Sequence, residues 1–282
     1  MLRGDDGGNI NGPSLIRAPD WLPRRLGTYY LYFAHHTGTY IRLAVADRLE
    51  GPWRVYEPGT LKLADATAAR DHIASPDVHV DDARRRIVMG FHAPVAGRAR
   101  QMSFLAQSED GLAFIADPRP IANFYLRLVP WGKGWIGMSK GGVMYRAPSL
   151  DGPFRRLWRP AFPMSGRDAN GRGDVRHVAL HCEGDRLTVY FSRIGDAPER
   201  ILAADIDLGR LPMLWRAGPA REVLAPEFEW EGSGLALRPS RAGAAKGPEN
   251  ALRDPAVFMS GGRQLLVYAV AGESGLGLAE LL

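Results

Sequence analysis

The sequence predicts an all-β fold, a five-bladed β-propeller, on three observations. A phrase recurs five times along 282 residues. It is a short apolar strand opening on a Pro, Asp, Arg or His cluster, then an aromatic or β-branched strand, then a strand of small and apolar residues. Repeats of roughly 40–60 residues built only of strands mark a propeller. The 33 glycines and 21 prolines supply the tight turns such a chain needs. No amphipathic helical pattern interrupts the strands. Radial symmetry would carry the start of every first strand to one central axis, so clusters far apart in sequence would share one pocket.

The elements follow in order. Blade one occupies about residues 9–56, with strands expected at 14–17, 29–35 and 41–47 and an outer one begun by Gly51-Pro52-Trp53. Its middle strand, Tyr29-Tyr30-Leu31-Tyr32-Phe33, alternates weakly, as expected of a strand covered on both faces. Blade two, 72–118, opens on Ser75-Pro76-Asp77-Val78 and turns at Asp81-Asp82-Ala83. Blade three, 124–160, repeats the Gly-Pro-aromatic punctuation as Gly152-Pro153-Phe154. Blade four, 175–223, opens on Arg176-His177-Val178, and blade five, 250–282, on Arg253-Asp254-Pro255. Two segments fit no blade: the Gly-rich stretch 165–174 and the longer excursion 226–249, which carries Trp230 and Glu231. The whole chain, 1–282, reads as one domain.

Composition narrows the function. The net charge of +5 comes from 36 basic residues, of which only Lys62, Lys133, Lys140 and Lys246 are lysines. The arginines are scattered, with no basic helix or RNA-binding aromatic motif, so nucleic acid is not an expected partner. No apolar run approaches the roughly 20 residues a membrane span needs, and no secretory h-region is visible. The single Cys182 excludes an internal disulfide and fits a reducing compartment, giving a soluble, cytoplasmic expectation. No metal-ligand spacing such as His-x-His appears.

Several of these phrases, among them Gly27-Thr28-Tyr29-Tyr30-Leu31-Tyr32-Phe33, Ser75-Pro76-Asp77-Val78 and Leu49-Glu50-Gly51-Pro52-Trp53, resemble those of the five-bladed propeller glycoside hydrolases, the family 43 and 32 clan. The resemblance implies a general base at an Asp before Pro in blade one. It implies an orienting Asp after Pro in blade two and a general acid at a Glu opening blade three. Asp77 matches the second of these. At the first stands Gly12, with Asn11 beside it, and blade three opens Asn123-Phe124-Tyr125-Leu126-Arg127 without a Glu. His177 resembles an axial histidine that sits near a bound cation in several of these enzymes, so Ca2+ near His177 is the only cofactor implied.

Glycoside hydrolysis generally needs two carboxyl groups flanking the bond. Asp254, the Asp-Pro phrase relocated to blade five, is the candidate base, with a local turn cap as its bland alternative. Glu199 and Glu231 are rival replacement acids, Glu231 beside a Trp230 able to stack on a sugar face. Arg127, Arg176 and Arg253 each open a first strand; they either clamp a substrate carboxylate or form an ion-pair lattice with the aspartates. His36, His177, Asn11, Tyr125 and Trp230 complete the expected substrate-binding set. The expected function is cleavage of a glycosidic bond in a small or anionic saccharide. A non-catalytic sugar-binding propeller, or a lyase using Arg with Tyr125 or His, stands as the alternative.

Overall fold

The computed structural model describes residues 8–95, 97, 100–162 and 173–281. Most of the Gly-rich stretch 165–174 lies outside them. The described residues form five antiparallel sheets in a ring, a five-bladed β-propeller. Blade one contains β1 (Asn11–Arg17), β2 (Tyr29–Ala34), β3 (Arg42–Ala46) and β4 (Arg54–Val55). Blade two contains β5 (Ala74–Asp81), β6 (Arg86–Pro94), β7 (Gln101–Ser108) and β8 (Ile115–Ala116), with β9 (Ala122–Asn123) also paired to β7. Blade three follows as β10 (Arg127–Trp131), β11 (Gly134–Ser139), β12 (Val143–Ala147) and β13 (Arg155–Arg156). Blade four holds β14 (Val175–Glu183), β15 (Arg186–Arg193), β16 (Ile201–Asp207) and β17 (Arg221–Leu224). Blade five has three strands, β18 (Arg253–Ser260), β19 (Arg263–Val270) and β20 (Gly275–Leu281).

The core is divided among the blade interfaces, and a period of two does the dividing. Tyr30 and Tyr32 of β2 turn toward blade two and pack with Ile87, Met89 and Phe104. Tyr29 and Leu31 turn the other way, against Phe258 and Val267 of blade five. Val88 joins the cluster shared with Leu128 and Tyr145 of blade three, whereas its neighbour Met89 faces blade one. Ile136 and Met138 meet Val178 and Val189 between blades three and four. Ala179 and Tyr190 meet Leu266 and Tyr268 between blades four and five. Strands buried on both faces therefore carry no clean apolar–polar alternation, which explains the weak pattern in β2.

The ring closes where the chain's two ends meet. Ile10 bridges Ser274 in parallel, and its N–H donates to the Glu273 carbonyl at 2.6 Å. This closure brings Asn9, Asn11 and Gly12 against the last blade.

The innermost strands share one irregularity that builds the axial site. The pairing of β1, β5, β14 and β18 slips at Asn11/Ser14, Ala74/Asp77, Val175/Val178 and Arg253/Ala256. At the start of four blades a residue takes left-handed backbone: Gly12 (φ 56°), Ser75 (51°), Tyr125 (61°) and Asp254 (51°). A bulge re-aims a side chain and bends its strand, and left-handed non-glycine residues cluster where structure over-determines them. The Gly-Pro, Ser-Pro and Asp-Pro phrases of the sequence are these bulges. The repeated Gly-Pro-aromatic phrase likewise forms one turn twice, with Gly51 and Gly152 at φ 87° and 86° leading into β4 and β13.

Candidate functional site

The bulges set equivalent residues around the axis: Gly12, Ser75, Tyr125, Arg176 and Asp254, one per blade. Only one of the five is a carboxylate. Asp254 is 1% exposed. One of its oxygens touches Nδ1 of His177, and the other accepts the Gly12 N–H at 3.1 Å. Burial alone would raise the Asp254 pKa. The His177 contact, the Gly12 N–H and the nearby Arg176 reverse that, and the carboxyl is held far below the usual range. Burial lowers the His177 pKa, and Asp254 only partly restores it. At neutral pH the pair is a carboxylate facing a neutral imidazole, with the Nδ1–H pointed at Asp254 and the other ring nitrogen left as an acceptor.

The His177 ring stacks on Tyr125, centroids 4.1 Å apart at 29°. Tyr125 is fully buried, and its hydroxyl accepts from an Arg127 guanidinium N–H at 3.3 Å. Burial and the Asp254 charge push the Tyr125 pKa far above its ordinary value, so it stays a neutral phenol. His92 packs edge-on to Phe124 and lies 5.8 Å from the Tyr125 ring, with His72 beyond it. Burial holds the His92 pKa well below the ordinary value. Lys140, its ammonium 5.1 Å from the centre of the Phe124 ring, is also lowered by burial and by the neighbouring Arg176.

A second histidine–carboxylate pair adjoins the first. Glu273, 2% exposed, lies 3.6 Å from Nδ1 of His36. It also accepts from the side-chain amides of Asn9 and Asn11, the latter at 3.3 Å. Burial would raise its pKa; the His36 and Asn9 bonds outweigh this and leave it lowered, with Asp254 acting in the opposite sense as a nearby like charge. Consecutive residues thus hold the two carboxylates, Asn11 through its side chain and Gly12 through its backbone. Glu273, in the Ala271-Gly272-Glu273-Ser274 turn between β19 and β20, is a functional candidate absent from the expected set. The signal for it was ring closure, which brings that turn onto the start of blade one.

The remaining expected residues have other surroundings. Glu199 is wholly buried and holds three partners: Nε of Arg176, Nε of Arg253 and the Ser192 hydroxyl, each at 2.7 Å. Arg253 also pairs with Glu249 and lies 3.7 Å from Glu273, while Arg176 donates to the carbonyls of Gly243 and Arg241. Arg127 donates to the carbonyls of Pro76 and Pro13 and lies 3.5 Å from Asp77. Among the described residues only Arg127 of the three is paired with an aspartate; Arg176 and Arg253 are paired with Glu199 instead. Asp77 belongs to a repeated clip. Ser14 accepts the Val78 N–H at 2.8 Å across blades one and two. One position round, Asp77 accepts the Leu128 N–H at 2.8 Å across blades two and three. Burial raises the Asp77 pKa less than His79, at 2.9 Å, and Arg127 lower it.

Glu231 accepts the backbone N–H groups of Glu227 and Phe228 and the Tyr268 hydroxyl, which fastens the 226–249 excursion onto β19. Trp230 is 54% exposed on that excursion and stacks on Phe228. The described residues contain no group of three His, Cys, Asp or Glu side chains able to hold a metal ion. A hard cation wants six to eight oxygens, more than the side chains beside His177 supply by themselves. Among the described residues no helix is long and apolar enough to cross a membrane.

Solved structures with the same architecture include a GH43_1 enzyme from Xanthomonas citri (TM-score 0.66, 14% identity, covering 98% of this chain and 89% of that one). A thermostable family-43 glycoside hydrolase aligns at TM-score 0.69 and 13% identity, over 97% of this chain and 90% of its own. An exo-1,5-alpha-L-arabinanase from a bovine ruminal metagenomic library aligns at 0.61 and 12%, over 99% and 96%. At this identity the likeness is one of fold: the chain has the five-bladed propeller architecture of these enzymes. No protein-family profile matches the sequence. The uncharacterized protein R118 of Acanthamoeba polyphaga mimivirus is 38% identical across 301 aligned positions, covering 97% of this chain and 83% of that protein. The chain belongs to the same family as this mimiviral protein.

Proposed function

We propose that the protein cleaves a glycosidic bond in a small or anionic saccharide on the propeller axis, using two histidine–carboxylate pairs in place of two free carboxyl groups. The observation that carries this reading is the meeting of Asp254–His177 and Glu273–His36 across Asn11 and Gly12. In the first pair, Asp254 fixes the imidazole with Nδ1 protonated, and the opposite nitrogen takes a proton from an attacking water. In the second, His36, whose Nδ1 lies 3.6 Å from Glu273 and whose side chain is 32% exposed, passes a proton to the departing oxygen. Water supplies hydroxyl to the sugar carbon, and the leaving group departs with the proton from His36. Proton exchange with solvent then resets both pairs. Asp77, Glu199 and Glu231 brace this site, and Tyr125 positions His177 by stacking.

The solved structures of similar fold include the Xanthomonas citri enzyme complexed with xylotriose, which supports a saccharide as the ligand. A second reading, binding without catalysis, draws on one specific observation. Asp77, Asp254 and Glu273 are all held below the usual carboxyl range, so none of them is kept protonated as a glycosidase acid.

A panel of aryl glycosides and uronides, followed with the wild type and with folded Asp254→Asn and Glu273→Gln variants, separates the two. Hydrolysis that falls at least a hundredfold in both variants supports the paired mechanism. Saccharide binding without turnover in the wild type supports the binding reading instead.

A further inference from the structure

A second concavity lies on the opposite face of the ring from the axial site. The innermost strands start at the axis, so the end of β10 at Trp131, the turn after β12 and the end of β14 at Glu183 all lie at the far face. Between them is a cavity of about 870 Å³ whose wall includes Trp131, Trp135, Lys133, Arg146, Arg155 and Asp185. Three cations and one anion leave a formal excess of two positive charges. The anion is partly engaged, since Asp185 accepts the Trp131 indole N–H at 3.0 Å.

The aromatic side is pre-arranged. Arg146 lies 5.0 Å from the Trp131 ring and 5.8 Å from that of Trp215. Trp215 is itself buried and packs edge-on to Trp131 at 5.6 Å. A guanidinium held by stacking keeps its N–H fork free for a planar anion. Trp135 is fixed against His79 at 5.1 Å and offers part of its ring to the cavity. The remaining wall is glycine, alanine and proline, with no Asn, Gln, Ser or Thr among the described lining residues.

We propose that this cavity is a second binding site for a carboxylated saccharide, an oligouronide, separate from the axis. Sugar C–H faces lie against indole, and ring carboxylates meet Lys133, Arg146 and Arg155. A nucleotide fits less well. Adenine is read by Asn or Gln, which this wall lacks, and one face of Trp131 is taken by Arg146, leaving less indole for a base to stack on.

Calorimetric titration of trigalacturonate, xylotriose and AMP into the intact protein tests it, with Lys133→Glu/Arg155→Glu, the neutral Lys133→Gln/Arg155→Gln, and Asp254→Asn alongside. Both altered residues are exposed, so thermal melting should match the wild type. The expected result is trigalacturonate binding that weakens at high salt and drops at least tenfold in the charge-reversed pair, less in the neutral pair. It should persist in Asp254→Asn, which separates this site from the axial reading. Failure of the wild type to bind trigalacturonate would overturn the proposal. So would binding unchanged by charge reversal, loss only in Asp254→Asn, or preference for AMP.

Discussion

Glu199 shows how position in sequence and position in a network differ. A glutamate in a Gly-Pro turn near the axis has the look of an acid, yet its oxygens are fully engaged by Arg176, Arg253 and Ser192. Removing one member of a buried ion network leaves the others uncompensated, which costs about 3–5 kcal/mol. Glu199→Gln should therefore lower Tm by roughly 6–20 °C, at 2–4 °C per kcal/mol for a chain of this size. Any loss of activity in that variant should track unfolding and recover on cooling. Asp254→Asn should also cost stability, because its buried carboxylate is held by His177 and Gly12, but its activity should stay lost at temperatures where the variant is fully folded. Melting curves run beside rate measurements distinguish the two residues. Nothing local in the sequence separates these carboxylates. Arg176, Glu199 and Arg253 are brought together only by closure of blades four and five, so which acid is free depends on contacts 23 and 54 residues away.

Among the elements, the innermost strand and its bulge matter most. The repeated phrases were legible because Gly-Pro, Ser-Pro and Asp-Pro are poor continuations of a ladder and good bulges. The strands of blades one to five were legible because aromatic and β-branched runs sat between Gly and Asp turns. The clip that makes Asp77 equivalent to Ser14 was not, since it depends on the register between neighbouring blades rather than on either strand. Gly12 tests the bulge directly. It has φ 56°, and a Cβ there would sit 2.8 Å from the Ser75 backbone. Left-handed strain of about 1–2 kcal/mol adds to overpacking of about 1–3 kcal/mol. Gly12→Ala should thus destabilise by about 2–5 kcal/mol, read from denaturant midpoints, and should also disturb the N–H bond to Asp254. Equal stability of Gly12→Ala and wild type would contradict the bulge geometry.

At the scale of the whole molecule, five interface cores and a ring of buried polar groups share one axis, and pH should report on both. Burial lowers the pKa of His72, His92 and His177, so their folded values lie below the unfolded value of about 6.5. The unfolded chain then binds more protons, and stability is complete above about pH 6.5 and falls as pH drops below it. Asp77, Asp254 and Glu273 are lowered from ordinary carboxyl values, so their contribution is present above about pH 4 and is lost only at greater acidity. A Tm series should be flat above neutrality, show a first decline that begins below about pH 6.5, and show a second below about pH 4. His92→Gln should flatten the first decline without touching the second.

The measurement that bears most directly on the central claim is a titration of oligosaccharide into protein carrying nitrogen-15 histidine, with imidazole resonances assigned through His36→Gln and His177→Gln. Saccharide on the axis should shift both His177 and His36. A neutral oligosaccharide such as xylotriose should leave His181, near the far end of β14, in place. Saccharide that binds without moving either axial imidazole, or moves only His181, would contradict the placement of the site.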